Sequence, residues 1–207
     1  MPISLPDDLA PECYPIAWLL GSWRGFGMLG YPGVPEAAFV QELVVDHDGG
    51  PYLRSTTTIH LADAEASAPV EREMTGREGA SNLVPGQLWS TETSYWRPVA
   101  SPPKDGQGDG QPRPVRTTAG APSPDPTELE VLVADPSGHL SVYVGAVQGP
   151  RIELATDAVV RTSTAAEVSS ATRVYGLVES DLMWAMDLAA FGHELQTYGS
   201  GRLTRED

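Results

Sequence analysis

The side chains best suited to chemistry in this chain are four histidines, His47, His60, His139 and His193, and one cysteine, Cys13. Imidazoles hold metals or move protons when they recur with each other, or with carboxylates, at a spacing that shares one face. These four do not. They are scattered over separate stretches, with no His-x-x-x-His and no His-plus-carboxylate metal spacing. No Ser-His-Asp arrangement, phosphate-binding loop or pair of catalytic carboxylates can be argued from spacing either. A single cysteine forms no intrachain disulfide.

The elements that would position a site are strands. Leu20 to Gly33 carries glycines at Gly21, Gly25, Gly27 and Gly30 around one large ring, Trp23. Glycines so spaced cost about 1 kcal/mol each in a helix. In a strand they mark bends and close backbone approaches. The stretch therefore reads as a strongly curved strand of the kind that closes a barrel. Before it, Ile16, Leu19 and Leu20 share a helical face within Cys13–Leu20, a short turn that could plug one barrel end.

The rest alternates. Phe39, Leu43 and Val45 share one face, Asp48-Gly49-Gly50 is a hairpin turn, and Thr56 to Ile59 is β-branched. Residues 61–80 read as an exposed loop or polar edge strand. Strands follow at Gln87–Arg97, Glu128–Ala134, and from Leu140 after an Asp135-Pro136-Ser137-Gly138 turn. Candidates continue at Arg151–Thr156, Ala158–Arg161, Ala171–Val178, Leu182–Ala190 and Glu194–Arg205. The expected fold is all-β: a single antiparallel up-and-down β-barrel of about ten strands with a short N-terminal helical turn. One domain is expected over 1–207, with a Pro/Gly-rich inserted loop at about 100–127.

The formal charge of −15, from 13 basic and 28 acidic residues, argues against nucleic acid and against anionic membranes. Met1 to Glu12 has no basic residue and no apolar run, so no secretory signal is read there, and a cytoplasmic location is expected.

Gly21, Trp23, Gly25 and Gly27 form a Gly-x-Trp-x-Gly-x-Gly motif. It resembles the nitrobindin family, small β-barrels similar in architecture to fatty-acid-binding proteins and lipocalins. His47, Gly49, Pro51, Tyr52 and Leu53 match that family's next hairpin, and Glu92 to Arg97 is similar to a later segment. The tail from Met186 matches without a gap at Gly192, Leu195, Leu203 and Arg205. The resemblance implies that Trp23 packs against Arg205 to tie first strand to last. It also implies a haem in the barrel cleft, held by one histidine of the last hairpin, with nitric oxide binding and conversion of peroxynitrite to nitrate.

The chain departs from the family where the iron should be held. The axial histidine position is Tyr198, followed by Gly199 where the family has Leu and Gly201 where it has Ala. Tyr31-Pro32-Gly33-Val34 lacks a hydroxyl residue that lines the family's cleft. A phenol has to lose a proton from a pKa near 10 before it binds iron well. Arg202, four residues on, would share a strand face with Tyr198 and could steady that anion.

The expectation is thus a nitrobindin-like barrel that does not bind haem in the family's manner, with no cofactor, and the balance of the residues leans away from an enzyme. An apolar small molecule would occupy the interior. One alternative is a ferric-haem peroxynitrite isomerase and nitric oxide binder through Tyr198 or His193. Another is a protein-interaction module using loop 100–127. A homodimer is compatible with either.

Overall fold

The structure, a computed structural model, describes residues 5–99 and 125–206. A 3-10 helix, Pro11–Leu19, precedes ten strands. They are β1 (Gly21–Tyr31), β2 (Val34–Asp46), β3 (Leu53–Ala62), β4 (Pro85–Val99), β5 (Thr127–Ala134), β6 (His139–Gln148), β7 (Arg151–Arg161), β8 (Val168–Val178), β9 (Asp181–Ala190) and β10 (Gln196–Arg205). Each pairs antiparallel with the next, and β10 returns to β1, which closes the barrel. Closure removes the unpaired edges that an open sheet would expose. The expected architecture is therefore found. No helix among the described residues is long and apolar enough to cross a membrane.

Two ends result. At the β1 start, the 3-10 helix lies against β4 and β6 and buries Cys13, Ile16 and Leu19. Trp23, Leu53, Leu129, Ile152, Leu182 and Leu203 meet it from the strands. Each such side chain contributes roughly 1.5–3 kcal/mol when removed from water. Pro11 at the helix start and Pro15 within it suit a short, tight helix. The other end is open. There Pro32 and Gly33 link β1 to β2, and Gly33 takes φ +85°, as the third residue of a Pro-Gly turn requires.

Trp23 is directly opposite Arg205 across the β1–β10 seam. The guanidinium sits 4.2 Å from the indole centroid, and it donates to the carbonyls of Trp18 (2.7 Å) and Leu20. The indole N–H donates to Leu19 O at 2.8 Å. Seam and plug are thus tied by one cation–π contact and three hydrogen bonds, with the cation–π contact worth about 0.5–2 kcal/mol.

Gly25 explains why the seam needs glycine. A Cβ there would run into the backbone of Arg202 and Leu203 on β10. Gly25→Ala should cost about 3 kcal/mol, because backbone, not a flexible side chain, would have to move. Thermal unfolding of the variant checks this, and a melting temperature within a degree or so of the unaltered protein would refute the close approach.

Part of the 61–80 reading is corrected. A seven-residue helix, α1 (Gly76–Asn82), lies outside the barrel on β1 and β10. Thr75 and Glu78 form a reciprocal capping box at its start. Phe26 and Val40 point outward yet are buried, because Ala80 and Leu83 cover them. Arg151–Thr156 and Ala158–Arg161 are one strand, β7, with a register shift opposite Val142 and Tyr143. The inserted loop expected at 100–127 falls outside the described residues except at its end, where Thr127 already opens β5.

Candidate functional site

Inward side chains leave a cavity of about 560 Å³ that reaches from Leu19 of the plug to the open end. That volume suits a small organic ligand. Its mouth is aromatic. Tyr31, at the end of β1, has the rings of Phe191, His193 and Tyr198 around it at 6.4, 5.9 and 6.3 Å. The Tyr31 hydroxyl is fixed by the β9 backbone, accepting from Ala190 N at 2.9 Å and lying 3.0 Å from Leu188 O.

Tyr198 reaches the cavity through an irregularity. The β9–β10 ladder shifts register between Thr197 and Gly199, which sets Tyr198 apart from strict alternation. Its oxygen accepts the indole N–H of Trp89 at 2.6 Å. Burial, the largest influence, raises the phenol above its ordinary pKa, and the Trp89 bond only partly opposes this.

The expected partnership with Arg202 is not there. Gly201 and Leu203 face the interior, so Arg202 faces outward. It donates to Asp181 Oδ2 at 2.6 Å. Buried Asp181 also accepts from Thr204 Oγ1 (2.7 Å) and from Gly76 N (3.2 Å), which joins β9, β10 and α1. The register shift after Thr197 broke the parity on which the Arg202 expectation rested.

The interior guanidinium is Arg173 on β8. It pairs with both oxygens of Glu92 on β4 at 2.7 and 2.8 Å. Its Nε donates to the Tyr143 hydroxyl at 3.2 Å, and its charge lies 4.9 Å from that ring's centroid. Deeper in, Trp96 Nε1 donates to Ser94 (2.9 Å) and Ser55 (3.1 Å), and Trp184 Nε1 donates to Gln41 at 2.6 Å. Each buried polar group in this wall has a partner, as burial demands.

The histidines do not converge. His139 lines the cavity, with Nδ1 3.0 Å from Ser137 Oγ and Nε2 2.9 Å from Ala166 O. His193 is exposed beside Tyr31, and His47 lies at the plug end, 3.8 Å from Asp8. No group of three His, Cys, Asp or Glu able to hold a metal ion exists among the described residues.

Residues 12–205 match the family model described as "THAP4-like, heme-binding beta-barrel domain". The chain belongs to this family. Ferric nitrobindin-like protein from Beutenbergia cavernae is 54% identical over 99% of this chain and 99% of its own length. A protein of the same name from Kineococcus radiotolerans is 39% identical, again over 99% of both. Peroxynitrite isomerase from Kocuria rhizophila is 37% identical over 99% of this chain and 96% of its own. The crystal structure of Rv2717c from M. tuberculosis aligns with TM-score 0.67 at 25% identity, covering 96% of this chain and 99% of that one.

In this THAP4-like barrel the sequence reading missed Arg173, Tyr143 and Trp89 as cavity residues. Alternation held a signal for one of them: Ala171, Arg173 and Tyr175 share a strand face, so an arginine is directed inward with two residues that belong there.

The buried phenols set a pH limit. Burial, ahead of the opposing Arg173 charge, raises Tyr143 and Tyr175, and Tyr198 is raised too. Each therefore binds its proton more tightly folded than unfolded. Their contribution is fully present below pH 10 and is lost as the pH rises through the higher folded values. Melting temperature should hold up to about pH 10 and fall beyond it, with delayed phenolate absorbance. Early ionisation of every tyrosine would contradict this.

Proposed function

We propose that this member of the heme-binding barrel family carries an apolar small molecule and does not hold haem through an axial imidazole. Tyr198, at the position the nitrobindin resemblance assigns to that ligand, supports the reading most directly. One of its oxygen lone pairs accepts the Trp89 indole N–H at 2.6 Å, and burial favours the protonated phenol. Iron binds the phenolate; Arg202 faces outward, and the cation that acts on Tyr198, Arg173, is paired with Glu92, whose charge opposes it. His139, the one histidine among the described cavity-lining residues, has both nitrogens engaged. This donor set does not fit a haem held by its iron. The aromatic mouth and the walls of Leu188, Met186 and Trp184 suit an apolar guest.

Titration with haemin and with the fluorescent probe phenylnaphthylamine tests the reading. Saturable fluorescence enhancement is expected with the probe, and a broad spectrum of loosely associated haemin. A sharp Soret band at one-to-one stoichiometry would overturn it.

One observation favours a second reading, a ferric-haem peroxynitrite isomerase. The turn at Phe191 and Gly192, with φ +53° and +79°, carries His193 to the mouth, edge-on to Tyr31. If His193 took the iron, a Soret band in the purified protein would vanish in His193→Ala and survive in Tyr198→Phe.

A further inference from the structure

We infer that the cavity selects uncharged ligands and rejects carboxylates, because Arg173, the one Arg or Lys among its described lining residues, is already closed by Glu92. This rests on the carrier reading above and names the ligand class for the same cavity. A lone arginine in an apolar barrel would draw a fatty or aromatic acid, since guanidinium and carboxylate match in a two-pronged pair. Here that fork is occupied. Nη1 and Nη2 of Arg173 each donate to one Glu92 oxygen, and Nε is directed at Tyr143.

The pair lies in the cavity wall, with Arg173 12% and Glu92 27% exposed at the side chain. A ligand carboxylate could reach Arg173 only by displacing Glu92 or by settling beside it. Either leaves a carboxylate without a counter-ion in a cavity whose walls are mostly apolar, which is unfavourable. Asp135, at the mouth, adds a second acidic group to the lining. Among the described lining residues Glu92 and Asp135 are acidic and Arg173 is basic, and Asp135 Oδ2 lies 3.4 Å from His139 Nδ1. Hydroxyls of Thr57, Thr91 and Ser141 can donate to or accept from a neutral amide, alcohol or ketone at no such cost.

Naphthylacetamide and naphthylacetic acid test this, as near-isosteres that differ in charge at neutral pH. Quenching of tryptophan fluorescence reads binding, since Trp89, Trp96 and Trp184 line the cavity. The unaltered protein should bind the amide at least about tenfold tighter than the acid. Glu92→Gln should free the guanidinium charge and raise affinity for the acid by about tenfold or more. The comparison in the unaltered protein stands even if the variant does not fold. Equal affinity for acid and amide there, or tighter binding of the acid, overturns the inference. Binding of neither naphthyl compound also overturns it, while phenylnaphthylamine binding would still leave the carrier reading intact. Loss of all three overturns both.

Discussion

Tyr198→His combined with Trp89→Phe is expected to give a protein that takes up haem with a sharp Soret band and at least about 100-fold tighter than the unaltered chain, ~2.7 kcal/mol. Two changes are needed because two obstacles are present. The phenol at position 198 is a poor ligand while protonated, and burial raises its pKa further. The Trp89 indole N–H, 2.6 Å from the phenol oxygen, would aim at whatever acceptor replaced it. An imidazole nitrogen bonded to that N–H would have no lone pair left for iron. The single Tyr198→His variant should therefore bind more weakly than the double variant. Absorbance titration with haemin ranks the three proteins. A double variant no better than the unaltered chain would show that residue 198 is not what limits haem binding.

A large loss of stability is expected from Arg173→Met. It leaves Glu92 in the cavity wall with neither of its two guanidinium hydrogen bonds. Breaking one side of such a pair costs about 3 kcal/mol, at the low end of the buried range because Glu92 keeps some exposure to the cavity. For a chain of this length that lowers the melting temperature by roughly 6–12 °C. Arg173→Met together with Glu92→Leu should recover most of the loss, because no charge is then stranded. Calorimetry of both variants measures the difference. A double variant as unstable as the single one would place the effect in packing and not in charge.

Reading strand by strand, the period of two told correctly which residues of β2 and β5 enter the core. Phe39, Leu43 and Val45 are buried, as are Leu129, Val131 and Val133. The same rule failed at Tyr198, where one register shift between Thr197 and Gly199 separates the phenol from Arg202. Parity propagates only along an unbroken ladder, and Gly199 and Gly201 allow a bend without fixing where the register breaks. Helix α1 was missed for a different reason. It has seven residues, too few for a periodic signal, and its capping box shows only as a Thr and a Glu three apart. Its stability comes from covering Phe26 and Val40, a contact that joins stretches far apart in the chain.

Composition, alternation and glycine placement by themselves determined the class: ten antiparallel strands, one strongly curved, closed with a short helix at one end. These are local properties, and each short stretch carries its own evidence for them. Tertiary structure alone decided which side chains meet in the cavity. Glu92 and Arg173 are 81 positions apart, and so far apart no spacing links them. Trp89 and Tyr198 are 109 apart. They meet because closing β10 on β1 brings distant strands round a single interior, and burial there makes their charge and hydrogen bonding matter.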